Sequence, residues 1–342
     1  VVMNCMQSRE LDAKQLKWLL GVSHSLMTTL EFKAVARLSC SRFMELFPYD
    51  RVTLWLKPSD DAPLRSLIAV YQDGSESHYE DERLSEWLES LLTQKQDLLM
   101  YREDLGEHRP HLKQLNKVDA DIAHVFPLLI NDDPVGLLYA DVRHADDYPL
   151  PATFREMARY LCGLIAASLH SARRFEHSTH DPLTGLPNSS YLQLELNQLV
   201  ESQPFEAWKT GGLIILDLDD FKRVNQAGGT RVGDRALEEI AQTLRDIVDN
   251  DGLLIRYGSD KFAIFMEPND AISVQLRLRD VAERARASIA AKSFHGISIS
   301  ACIGGTSFEG FSEQTPALEL IAAADDARRT ARQRGKGEVE IR

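Results

Sequence analysis

Three carboxylates crowd the end of one apolar run, "GLIILDLDDF" (Gly212 to Phe221): Asp217, Asp219 and Asp220. A fourth, Asp260, lies in "LLIRYGSDKFAIFME" (Leu253 to Glu267), in a turn made of Gly258, Ser259, Asp260 and Lys261 between two further apolar runs. Side chains two residues apart on a strand share a face, so Asp217 and Asp219 are expected to point the same way. If the two apolar segments pair side by side, Asp217 and Asp260 can share a divalent cation. A few carboxylates, completed by phosphate and water, suit magnesium. Such an ion positions a phosphoryl group and can activate an attacking hydroxyl. A plainer alternative stays open, in which strand-end aspartates are solvated or cap the next helix. Lys222 follows the carboxylates, where it can meet a triphosphate. Arg332 and Lys336 lie at the end of the last helical pattern, where they can hold phosphate or complement the helix dipole. Asn225 and Asp234 carry the donors and acceptors that a guanine edge needs, and are equally ordinary turn and cap residues.

The elements that must position these residues are legible from periodicity. Steps of three and four apolar residues predict helices over Leu11 to Leu46, Glu82 to Gln94, Ser190 to Glu201, Val232 to Val248, Val274 to Ala290 and Leu318 to Arg334. Alternation predicts strands at Arg51 to Lys57, Ser66 to Gln72 and Gly296 to Gly305, and a short one in "EVEI". Gly74 to Asp81 reads as a polar loop. "HVFPLLI" and "VGLLYADV" flank "NDDP" (Asn131 to Pro134) as a strand, turn and strand. The first half is therefore one α+β domain with antiparallel strands, ending near residue 150. Between the halves runs a long helix whose Phe154, Met157, Leu161, Leu164, Ser168 and Phe175 approximate a heptad stripe. It is expected to pair with a second copy, with packing inside its own domain as the alternative. The second half opens on the turn "HDPLTGLPN" (His180 to Asn188), and its order β-α-β-β-α-β-α-β matches a ferredoxin-like palm with additions.

Bulk properties narrow the function classes. The 342 residues suit two domains, and the composition (44% hydrophobic, 27% charged) is that of a globular protein. A net charge of -13 argues against a broad basic face for duplex nucleic acid. Cys5, Cys40, Cys162 and Cys302 form no CxxC pair, so neither zinc nor a disulfide framework is expected. No apolar run is long enough for a membrane span. The opening "VVMNCMQSRE" has neither a basic start nor an apolar segment, so a signal peptide is not expected, and a start on Val fits a trimmed chain. A cytoplasmic protein is the expectation.

Residues 179–342 resemble the GGDEF domain of diguanylate cyclases. The resemblance rests on "DPLTGLPN", "DLDDFKRVN", "VGD" and "RYGSDKFAI", in the family's order across nearly the whole domain. It implies the GGDEF fold and enzymes that join two GTP molecules into cyclic di-GMP across two facing domains. By that resemblance Asp217, Asp260 and the backbone of Leu218 are metal ligands for magnesium. Lys222, Arg332 and Lys336 become phosphate contacts, Asn225 and Asp234 guanine readers, and Gly258 and Ser259 part of the nucleotide-approaching turn. The departures matter. Ser259 stands where the family has a second glycine, and adds a side chain where backbone approaches nucleotide. Lys261 stands where it has a glutamate that handles the attacking hydroxyl and metal. A charged lysine is no metal ligand and reverses the sign beside the cation. Gly228 to Thr230 and Ser189 also depart. The inhibitory RxxD site ahead of the signature reads "DNDG" (Asp249 to Gly252), so that cyclic di-GMP site is absent.

Residues 10–152 are similar to GAF domains, on the "YDRVTLWL" strand, the "FPLLINDDPVGLLYADV" hairpin and the helix leading out over 153–178. Asn116 and Lys117 match the start of a cyclic-nucleotide-binding motif that does not continue. The resemblances together imply a cyclic di-GMP signalling protein. Its GAF-like domain would sense an unknown ligand and dimerise with the connecting helix. Its GGDEF domain would be catalytically impaired and act by binding GTP or an unknown protein partner. The alternative is an active diguanylate cyclase.

Overall fold

The computed structural model describes residues 11–46, 49–57, 65–77, 90, 92–95, 97–101, 120–143, 153–202, 210–249, 252–266, 274–309 and 317–342. The helix pattern before residue 90 and the Asn116–Lys117 motif lie outside them. The chain divides into two compact units, Val1–Glu176 and His177–Arg342.

In the first unit, α1 (Ala13–Thr28) starts on a capping box. The Asp12 carboxylate accepts the Gln15 backbone N–H, and the Gln15 side chain accepts that of Asp12. Next come α2 (Phe32–Met44), β1 (Arg51–Leu56), β2 (Arg65–Tyr71), β3 (Glu76–Ser77), β4 (Leu98–Tyr101), β5 (Ile122–Ile130), β6 (Asp133–Val142) and α3 (Phe154–Thr179). The six strands form one antiparallel sheet in the order β3-β2-β1-β6-β5-β4. Periodicity missed β4. It also missed β3, which lies within the stretch read as loop and is too short to alternate. Asn131 (φ 48°) and Asp132 (φ 68°) make the tight β5–β6 hairpin, the two left-handed residues that match strand twist.

The three helices cover one face of this sheet. The α3 stripe corrects the dimer-helix expectation in part. Phe154, Leu161 and, between them, Ala158 are buried in their own unit's core, followed by Ile165, Leu169 and Ala172. A side chain already buried there cannot also form a seam with a second copy, so the intrachain alternative holds for this part of the stripe.

His124 lies under α3 against Phe154, with its Nδ1 2.6 Å from the Tyr49 hydroxyl. Burial, reinforced by the charge of Arg155, pushes its pKa down from 6.5 to about 4, against the opposite pull of Asp97. The unfolded chain therefore takes up this proton first as pH falls. Stability from the neutral imidazole is complete above about pH 6.5 and is lost as pH falls towards 4. Urea titrations of the full chain at pH 7.5 and 4.5 are expected to differ by about 3 kcal/mol in the first unit's transition. His124→Gln should flatten that dependence, and an unchanged slope would refute the assignment.

The second unit comprises α4 (Ser189–Ser202), β7 (Thr210–Asp219), α5 (Phe221–Gly228), α6 (Thr230–Val248), β8 (Leu253–Arg256), β9 (Lys261–Met266), α7 (Val274–Ala290), a small hairpin β10 (Ser293–Phe294) and β11 (Ile297–Ser298), β12 (Ser300–Glu309), α8 (Ala317–Arg334) and β13 (Val339–Ile341). The sheet order is β13-β12-β7-β9-β8. Without the edge strand β13 this is the ferredoxin-like arrangement, with β7 central between antiparallel neighbours. The predicted strand over 296–305 is divided between β11 and β12, and α5 was not anticipated.

Alternation along β7 sorts its side chains between two layers. Ile214, Leu216 and Leu218 pack with α6 and α7. Leu213 and Ile215 pack with α4 and α8. Asp217 and Asp219 continue the second series, which aims both carboxylates to the α8 side.

Candidate functional site

Asp217 is the last strand residue paired with β9, and its cross-strand partner is Lys261. Lys261 continues the series of Ala263 and Phe265, which face α4 and α8. Its ammonium lies 3.9 Å from Asp217 Oδ2. The turn before it is held by Tyr257 N–H and Gly258 N–H, both donating to the Lys261 carbonyl. Leu218 N–H donates to the Asp260 carbonyl at 3.1 Å, tying the turn to the end of β7. The Ser259 hydroxyl donates to Asp260 Oδ1 at 3.0 Å.

Arg256 clamps this turn from behind. Its guanidinium donates to the carbonyls of Gly258 (3.2 Å) and Ser259 (2.7 Å) and to Asp181 Oδ1 (2.8 Å). Asp181 Oδ1 also accepts the backbone N–H and hydroxyl of Thr184. The opening "DPLTG" loop and the signature turn are thus one hydrogen-bonded assembly. Sequence reading assigned no role to Arg256 or Asp181. The signal was their place inside "RYGSDKF" and "DPLTG", but nothing local says that two segments 75 residues apart meet.

Asp219 is buried and saturated. It accepts from the Ser300 hydroxyl (2.6 Å), the Gly337 N–H (2.9 Å) and, more weakly, the Cys302 thiol (3.1 Å). Asp220 follows in the left-handed region (φ 54°) just before α5, a conformation that aspartate tolerates better than most residues. It accepts a short hydrogen bond from Lys336, which holds its carboxyl below the usual range. Lys222 stands exposed on the first turn of α5. Asn225, on the same helix, packs beside Gly233 in α6, the residue that precedes Asp234.

The cations facing Asp217 are more numerous than expected. Arg328 Nη1 reaches its Oδ2 at 2.7 Å, and Arg332 Nη1 reaches the same oxygen at 3.3 Å and Asp219 Oδ1 at 3.8 Å. Burial pushes the Asp217 carboxyl up, against the pull of Arg328, Lys261 and Arg332. Arg328 was missed because a single arginine within "DDARRTARQR" carries no local sign of facing a strand.

A divalent cation shared by Asp217 and Asp260 does not fit this donor set as the side chains stand. Three basic groups lie within 4.0 Å of Asp217 Oδ2. Both Asp219 oxygens already accept hydrogen bonds. Among the described residues, no group of three or more His, Cys, Asp or Glu side chains could hold a metal ion. No helix among them is long and apolar enough to cross a membrane.

Residues 178–338 match the family described as diguanylate cyclase, GGDEF domain, and this half of the chain is a GGDEF domain. The chain is similar to the diguanylate cyclase DgcP of Pseudomonas aeruginosa, with 35% identity over 168 residues, covering 47% of this chain and 23% of that protein. It is similar to the response regulator PleD of Caulobacter vibrioides, with 33% identity over 172 residues, covering 48% of this chain and 36% of that one. The chain thus spans only about a quarter to a third of the length of these curated relatives. A solved GGDEF-only structure of TpbB (YfiN) from Pseudomonas aeruginosa is 27% identical, covering 47% of this chain and 93% of that one, with a TM-score of 0.41.

Proposed function

We propose that this is a cyclic di-GMP signalling protein whose GGDEF domain binds GTP but is impaired in joining two of them, and that it acts through nucleotide occupancy or a protein partner. The observation that carries the reading is Lys261, paired across the ladder with Asp217. Where the resemblance has an acid beside the reacting groups, this domain has a base. Losing a group that stabilises developing charge costs orders of magnitude in rate. The nucleotide-binding roles are those assigned above: Lys222, Arg332 and Lys336 to phosphates, Gly258 and Ser259 to the approach of backbone, and Asn225 and Asp234 to guanine. The first unit, as a GAF-like sensor over 10–152, and the helix over 153–178 would bias that occupancy. A homodimer through them belongs to the same reading, and sedimentation of the full chain tests it.

The decisive experiment is a calorimetric GTP titration of the full chain, with and without magnesium, and the same sample assayed for cyclic di-GMP. Binding without product is expected. Turnover at about 0.1 per second or faster overturns the reading in favour of an active diguanylate cyclase. Absence of heat and of any GTP-induced thermal shift favours a protein-interaction module.

Gly233→Ala tests the guanine reader. A Cβ at Gly233 would overlap Asn225 Oδ1 and come 2.9 Å from its Cγ, so the amide must rotate away. GTP affinity is expected to fall about tenfold. Stability should stay within about 1 kcal/mol, because alanine suits a helix better than glycine. Unchanged affinity for GTP over ATP would remove Asn225 from the site.

A further inference from the structure

The carboxylate at the end of β7 already holds a cation supplied by the chain. The α8 backbone lies directly on β12, because a Cβ at Gly304 would collide with the backbone of Arg328. That contact sets the Arg328 side chain, only 6% exposed, over Asp217. Its Nη1 meets Asp217 Oδ2 at 2.7 Å while its Nε meets Asp325 Oδ1 at 2.8 Å. Held between two carboxylates and buried, it cannot swing out to water as a surface lysine would. Arg332, one turn further on, and Lys261, from β9, crowd the same oxygen. Their side chains are 46% and 36% exposed, and so keep donors available to a ligand. Magnesium binds carboxylate oxygen at about 2.1 Å. At Asp217 Oδ2 it would sit beside the fixed charge of Arg328 and near the partly exposed Arg332 and Lys261, on a carboxylate that is largely buried, where like-charge repulsion is weakly screened.

We propose that Arg328 is a built-in counter-ion that takes the place of a divalent cation at Asp217, so that the site accepts a nucleoside triphosphate as the free, metal-less anion. Arg332, Lys261 and Lys336 supply the charge that a bound metal would otherwise bring to the phosphates. The nucleotide half of this inference rests on the GTP-binding reading above, whereas the counter-ion half does not.

The test therefore has a metal arm without nucleotide. Manganese alone is titrated into the full chain and followed by electron paramagnetic resonance. Wild type is expected to show no saturable site, and so is Lys261→Glu, which changes a partly exposed residue and leaves Arg328 in place. Lys261→Glu combined with Arg328→Leu is expected to gain a site. A saturable site in wild type or in Lys261→Glu overturns the counter-ion role, as does its absence from a double variant that circular dichroism shows to be folded. If the double variant does not fold, the wild type and Lys261→Glu still decide. In the nucleotide arm, GTP is titrated into wild type in chelator and in excess magnesium. Binding at least as tight in chelator is expected. Binding weakened about tenfold or more in chelator overturns the metal-free site. No binding in either buffer removes the nucleotide reading, while the manganese result still decides the role of Arg328.

Discussion

Gly304→Ala is expected to destabilise the second unit by about 3 kcal/mol and, on the GTP-binding reading proposed above, to abolish that binding with it. Gly304 lies in β12 opposite Ile215 of β7 and beside Glu340 of β13. The atoms a Cβ would meet are the Arg328 backbone N and Cα and the Ala327 carbonyl carbon. Backbone atoms cannot rotate away as a side chain does, so α8 must lift off the sheet. That helix buries Leu320, Ile321, Ala324, Ala327 and Ala331, and it carries Arg328 and Arg332 to the carboxylates. Close-packed interiors have no free space to absorb the shift. Urea denaturation gives the stability change, and a titration of GTP gives the loss of binding. Gly258→Ala is the control. Its Cβ would make only ordinary contact, 3.5 Å from Lys261 Cβ, so a change within about 0.5 kcal/mol is expected despite its place in the signature turn. If both glycines tolerate alanine equally, the close approach of α8 is not what holds this face together.

Arg51→Ala is expected to cost the first unit about 3–5 kcal/mol, the usual penalty for stranding one partner of a buried ion pair. Arg51 donates to Asp141 Oδ2 from Nε at 3.0 Å and Nη2 at 2.5 Å, and its guanidinium lies 5.6 Å from the centre of the Tyr139 ring. The two residues are cross-strand neighbours on β1 and β6, in the middle of the sheet, and are 5% and 1% exposed. Without the arginine, the Asp141 carboxyl, which burial already pushes up, loses the cation that offsets that burial. Replacing both, as Arg51→Met with Asp141→Leu, should recover most of the loss, because two apolar side chains need no mutual compensation. The double-mutant cycle in denaturant measures the coupling. A single variant costing less than about 1 kcal/mol would show that the pair is solvated and unimportant to the fold.

Much of this protein is legible in its sequence. Apolar spacing located most of its helices and strands, because burying one face imposes a period of 3.6 or 2 wherever the chain folds. The palm's strand order followed from the succession of elements. The common face of Asp217 and Asp219 followed from strand alternation alone, and the basic residue in the signature turn is a fact of the sequence. Several short elements escaped, namely β3, β4, α5 and β10. What surrounds the carboxylates was not readable either. Arg328 meets Asp217 across 111 residues, and Asp219 is saturated by Ser300, Cys302 and Gly337 from two other segments. Those contacts exist only once β7, β9 and β12 are in register and α8 is seated on Gly304. Local spacing determined which residues could face the site. Tertiary packing decided that the charge facing Asp217 is an arginine of the chain itself, because helix position on a sheet is set by close backbone contact between segments far apart in sequence.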